Sequence, residues 1–258
     1  MLALTFKKYW LIYFSPLFLF SFLATGKLNN IKKKHIKFYK KEVIENFFKL
    51  IYSNFNYTSD YIKQLYLTEL YRDANFDNKD FQVLTIDDYI ECWSDNNIYV
   101  QLFDTTVKQK FYALFQQQII LFHGIVAHVN CNKDIQAYLK ISKNKVELSC
   151  NPDRIELDSQ EFEKYFDVYS DNKILAVRLL TSDVMQTLVD FYNNLNLEFE
   201  IVIKNNNIYL RFFSGPLFEP KILGGLTDKD LLYAHFYILQ FILDLAQKIN
   251  LVLDNNEF

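Results

Sequence analysis

LEFEIVIKNNNIYLRFF, residues 197–213, decides the fold. Two runs of alternating apolar and polar residues flank Asn205-Asn206-Asn207. Period two on both sides of a short polar break is the pattern of a β-hairpin, and asparagine tolerates the positive φ that a tight turn demands. An antiparallel sheet follows from this hairpin, and the same period recurs upstream. DDYIECWSDNNIYVQLFDTTV, residues 87–107, reads as two strands joined at Ser94 to Asn97. Gln118 to Asn130 is a further strand, Lys145 to Cys150 a short one, and Arg154 to Leu157 one more.

Helical spacing takes over between and around these runs. Ile36, Tyr39, Val43, Ile44, Phe47, Phe48 and Ile51 recur at steps of three and four, which predicts an amphipathic helix from Lys32 to Ser53 carrying a basic face. A polar break from Asn54 to Ser59 precedes a second helix, Asp60 to Tyr71, with Tyr61, Leu65 and Leu70 on one side. Asp158 or Ser159 caps a short helix over EFEKYF, where Glu161 in the first turn suits the helix dipole. A turn at Ser170 to Lys173 then leads into a strand ending at Leu180, and Ser182 caps a helix whose stripe is Val184, Leu188, Phe191 and Leu195. After the loop SGPLFEPKILGG, the last helix runs from Asp228 to Leu251, with Leu231, Leu232, His235, Ile238, Ile242, Leu245 and Ile249 in register. The fold class is α+β, a mainly antiparallel sheet with packing helices.

The N-terminus is of a different kind. YWLIYFSPLFLFSFLATG, Tyr9 to Gly26, has no charged residue and as a helix is about 27 Å long, close to the hydrocarbon thickness of a bilayer. Tyr9, Trp10 and Tyr13 cluster at one end, where amphipathic rings favour the headgroup level. Lys7 and Lys8 precede the run, whereas Lys27, Lys32, Lys33, Lys34, Lys37, Lys40 and Lys41 follow it, so the downstream side faces the cytoplasm. Lys32, Lys33, Lys34 and Lys37 suit anionic headgroups. Two other readings compete: a signal peptide cleaved after Ala24-Thr25-Gly26, which gives an exported protein, and a core helix. The preferred division is a membrane anchor over 1–26, a helical basic juxtamembrane region over 27–80 and an α+β cytoplasmic domain over 81–258.

Composition narrows the function classes. The net charge of −3 over 258 residues gives no global bias towards nucleic acid, and the basic run abuts an apolar segment, which makes a membrane surface the nearer counter-charge. Cys92, Cys131 and Cys150 are odd in number and widely spaced, which favours reduced thiols over a disulfide framework.

Chemistry-bearing motifs are sparse. His123, His128 and Cys131 are close in sequence, but side chains alternate along a strand, so the two histidines face opposite sides and do not share an ion. Gly124 between them marks a bulge or close packing. Asp87, Asp88 and Glu91 form an acidic cluster that reads as a solvated strand edge before it reads as a cation site. Gly224-Gly225 lacks the lysine and serine of a phosphate cradle, and His235 lies on an apolar stripe as a core histidine. No catalytic, cofactor-binding or metal residue is assigned. An unrecognised ligand site built from His123, Asp87, Asp88 or Arg178 is the alternative.

Several stretches together carry a resemblance: KFYKKEVIENFF, DDYIEC, IILFHGIVAHVNCNKD, RIELDSQEFEKYFDVYSDNKILAVRLLTSDVMQTLV and IYLRFFSGPLFEP, of which EFEKYFDVYSDN and the FEP triplet are the most specific. From roughly Lys37 to Gly225 the chain resembles the domain-of-unknown-function 3137 family of bacterial proteins. The resemblance implies a membrane-anchored protein, often with two hydrophobic helices before a cytoplasmic domain, where this chain shows one after MLALTF. That family has no assigned activity, so the resemblance implies architecture only. Within its motif Phe162, Phe166, Val168 and Tyr169 read as core, Glu161 as a cap and Glu163 as solvated. The expected role is a noncatalytic scaffold, sensor or interaction domain at the inner membrane face.

Overall fold

The computed structural model describes residues 26–52, 54–58, 64–76, 83–94, 98–112, 116–131, 133, 135, 137–143, 153–215 and 229–255. The apolar run before Gly26, Cys150, Gly224-Gly225 and the strand expected at Lys145 to Cys150 lie outside these residues.

Nine described strands form one sheet: β1 Asn54–Thr58, β2 Val83–Trp93, β3 Tyr99–Tyr112, β4 Gln116–Asn130, β5 Tyr138–Lys143, β6 Arg154–Ile155, β7 Phe166–Ser170, β8 Phe199–Lys204 and β9 Asn207–Phe212. They lie in the order β1-β2-β3-β4-β9-β8-β5-β7-β6. Every pairing is antiparallel. The helices are α1, residues 26–51, which contains a π-helical turn at Tyr39–Ile44; α2 Gln64–Ala74; α3 Gln160–Glu163; α4 Lys173–Leu179; α5 Ser182–Leu195; and α6 Lys229–Asn255. The architecture is α+β, as the alternation predicts.

The β8–β9 hairpin turns at Asn205-Asn206, and Asn205 takes the positive φ of 53° expected of such a turn. Its two faces separate the two cores. Phe199, Ile201, Ile203, Ile208, Leu210 and Phe212 join the larger core, beneath α1, α5 and α6. Val202 and Tyr209 join the smaller core on the opposite face, beneath α2 and Phe76. The larger core is rich in stacked rings, with Phe191 of α5 and Phe241 of α6 only 3.9 Å apart between centroids. Such offset and edge contacts add to the area they bury.

The described residues from Tyr39 to Phe76 enter the same fold. Tyr39, Ile44 and Phe48 of α1 are buried in the larger core with the sheet. Phe48 stacks on Phe55 at 5.2 Å, and Phe55 belongs to β1, a strand where the sequence suggests a polar break. Its alternation is polar-out, apolar-in, and its asparagines hide it from a hydropathy reading. Similarly β5 is unexpected, because Lys140 and Ser142 interrupt its apolar side chains. Both are nevertheless buried on the other face.

The run before Leu180 corrects a strand expectation: it is helix α4. Asn172 caps it, accepting from Leu175 N, and Leu175, Ala176, Leu179 and Leu180 are buried at helical spacing while Ile174 and Val177 are exposed. The apolar stretch Ile174 to Val177 carries no period, so the cap decides. Thr181, one residue before the expected Ser182, caps α5 by accepting from Val184 N. Gly124 marks close packing: a Cβ there would sit 2.0 Å from Phe212 O.

Among the described residues one helix, Leu232–Asp254, is long and apolar enough to cross a membrane, and more than half of it is buried against the protein. It lies at the C-terminal end, whereas the sequence places the apolar helix at the N-terminal one.

Candidate functional site

The face of the sheet under α2 carries a row of polar side chains that alternation turns away from the larger core. On β2, the carboxylate of Glu91 accepts from Asn56 Nδ2 at 2.9 Å, from Tyr89 Oη at 2.8 Å and from Tyr99 Oη at 2.9 Å. Because Tyr89 donates to the carboxylate, its oxygen is free to accept from Gln101 Nε2, at 2.6 Å. That fixes the amide of Gln101, whose Oε1 accepts from Tyr66 Oη at 3.0 Å and faces His128 Nδ1 at 2.9 Å. The other ring nitrogen, Nε2, lies 2.7 Å from Asn207 Oδ1 at the hairpin turn. One carboxylate thus orients a chain of hydrogen bonds across β1, β2, β3, β4 and β9.

His128 is nearly buried and stacks on Tyr209 at 5.1 Å. Burial pushes its pKa down, opposed by the Asn207 contact and by Asp73 of α2. Burial also pushes the Tyr89 hydroxyl up to about 12, so Tyr89 stays a donor at neutral pH. At the open end of the row Trp93 packs on Tyr99 at 4.7 Å, and Trp93 and Tyr66 are about half exposed.

Further along the same face lies a charged cluster. Arg211 of β9 and Glu200 of β8 are cross-strand partners. Arg211 Nε and Nη2 lie 2.9 and 2.8 Å from Glu200 Oε2, and Nη1 donates to Tyr71 Oη at 3.2 Å. Its guanidinium sits over the rings of Phe76, Phe122 and Phe213, each within 5.5 Å. Lys140 Nζ donates to Phe76 O at 2.7 Å and lies 3.7 Å from Glu200. A planar guanidinium suits both the carboxylate and the ring faces.

The third cluster is on the opposite face, under α1. Lys40 Nζ lies 2.6 Å from Asp88 Oδ2, and Tyr57 Oη donates to Asp88 Oδ1. Burial pushes the Asp88 pKa up against the pull of Lys40, and pushes Tyr57 far above its ordinary range. The acidic run therefore is not a solvated edge. A register shift between Ile86 and Asp88 leaves Asp87 exposed, Asp88 1% exposed in one core, and Glu91 inside the network on the other face.

His123 is half-buried on β4 with no part in the His128 network, and its neighbour in the ladder is Thr106. Arg178 is exposed on α4. His123, Asp87, Asp88 and Arg178 thus do not converge. Cys92 and Cys131 are buried free thiols, pushed up to about 12 by burial. Phe162 and Phe166 are core, while Glu163 binds Leu157 N at 2.6 Å in place of water. Among the described residues no three of His, Cys, Asp and Glu gather closely enough to hold a metal ion. Sequence reasoning missed Lys140, Glu200, Arg211, Gln101 and Asn207; the available signal was the charge inside two alternating runs.

No curated protein matches this chain. Among solved structures it is similar to the crystal structure of the mycobacterial trehalose monomycolate transport factor A, TtfA, at 14% identity and a TM-score of 0.42, covering 77% of this chain and 86% of that one. This likeness is too distant to bear on function. The model of the family described as "Protein of unknown function (DUF3137)" matches residues 120–251, from β4 through most of α6 and just over half of the chain. It begins later than the resemblance read from the sequence and reaches further, taking in α6. The chain belongs to the DUF3137 family of proteins of unknown function.

Proposed function

We propose that this protein is a noncatalytic, single-pass membrane-anchored interaction domain. In this reading residues 9–26 cross the bilayer, Lys32, Lys33, Lys34 and Lys37 meet anionic headgroups, and the sheet domain faces the cytoplasm. The observation that carries it is the start of α1: from 27 to 34 every residue is exposed, whereas Tyr39 is fully buried in the core. The lysines leave the domain on a helix directly after the apolar run, two preceding that run and seven following it. The noncatalytic part is supported by the buried polar side chains: Asp88, His128, Lys140, Glu200 and Arg211 are each bound to a partner within the protein.

Fractionation of cells making the full chain tests this. The protein should pellet with membranes, resist high-salt washing, keep Met1 and lose its sheet domain to protease only when the cytoplasmic side is opened. Full-length protein in the soluble fraction at low salt, or a mature N-terminus near Lys27, overturns it.

A ligand-binding domain is the second reading, favoured by the half-exposed Trp93 and Tyr66 at the open end of the Glu91 network. A small-molecule library screened by thermal shift, with hits abolished by Trp93→Ala, would move the assignment there.

A further inference from the structure

The lysines are only part of what the start of α1 presents. Leu28, Ile31 and Phe38, three large apolar residues of this segment, are 63%, 63% and 52% exposed. At about 100° per residue, Leu28, Ile31, His35 and Phe38 fall within an arc of about 80°. Lys27 and Lys34 border one side of that arc and Lys32 the other, while Lys33 and Lys37 lie across the helix. Tyr39, the first fully buried residue of the helix, points about 60° away from the middle of that arc.

A narrow apolar stripe bordered by lysines is the form of a helix lying in a bilayer interface, since lysine stems follow the apolar surface and their ammonium groups reach outward. A second copy would bring two equally basic helices together, so anionic lipid is the complementary partner. Gly26, at the junction with the apolar run, has no side chain to oppose a change of direction.

We propose that residues 27–38 lie in the plane of the membrane interface, with Leu28, Ile31 and Phe38 among the acyl chains, and do not stand as a stalk. The inference rests on the membrane reading above and adds the orientation. The sheet domain is consequently held flat against the bilayer, at a fixed height set by the Tyr39–Ile44 turn.

Depth measurement on the full chain tests it. Spin labels are attached to Leu28→Cys, Ile31→Cys, Lys33→Cys, Lys37→Cys and Phe38→Cys, one at a time, in a Cys150→Ser background where Cys92 and Cys131 are buried. The protein is reconstituted in vesicles of phosphatidylglycerol and phosphatidylcholine. Oxygen and nickel accessibilities should oscillate with the helical period, the labels at 28, 31 and 38 being deep and those at 33 and 37 shallow. Depth changing steadily from 28 to 38 while the protein still pellets with vesicles overturns the in-plane helix and leaves anchoring intact. Failure to pellet at all overturns both.

Discussion

Glu200 shows how much one side chain can carry. It is the counter-charge of Arg211 and lies beside Lys140, all three almost fully buried. Removing one member of a buried ion cluster is costly because the remaining charge stays desolvated. Glu200→Ala should cost about 3–5 kcal/mol in urea unfolding, and adding Arg211→Leu should recover part of that. His128 gives a second prediction, this time in pH. Burial lowers its folded pKa, so the unfolded chain takes the proton more readily, and His128 contributes stability at neutral pH that is lost as pH falls below about 6.5. His128→Gln should flatten the acid limb of a stability–pH curve measured from denaturant midpoints. An unchanged limb would mean that His128 is not the group titrating there. Neither residue was identifiable as important from its spacing. A strand pattern says which face a side chain takes, but not whether that face is covered, and both residues lie under α2.

For the elements, legibility followed the strength of the local signal. The β8–β9 hairpin and α5 were readable because alternation or a stripe was reinforced by a turn or a cap. Helix α4 and strand β5 were not, the first for lack of period and the second because Lys140 and Ser142 disguise an inward face. The attachment of α1 was equally hidden, since Lys40 and Asp88 are 48 positions apart in the chain. A π-helical turn at that point is a local departure from regular geometry of the kind often found where a side chain must be re-aimed. Lys40→Ala should loosen α1 and destabilise the fold by about 1–3 kcal/mol at pH 7. The loss should shrink as pH falls from 7 to 5, because Asp88, its pKa already raised by burial, takes a proton more readily than an exposed carboxylate once Lys40 is gone. Urea midpoints at the two pH values, with amide exchange over residues 45–51, would measure both effects; an equal loss at both would remove Asp88 from the account.

Across the whole molecule, the sheet falls into two runs of strands. β1 to β4 follow one another in sequence and in space, and β5, β7 and β6 sit at the other end. Among the described strands, the β8–β9 hairpin alone joins them, β9 to β4 and β8 to β5. It works as the keystone of an arch whose two limbs are made first. Until residue 204 has left the ribosome β5 lacks its neighbour towards the centre, and until residue 212 has followed β4 has a bare rim. A chain stopped short of that point therefore holds two unfinished half-sheets, each with a row of backbone groups left without their partner strand.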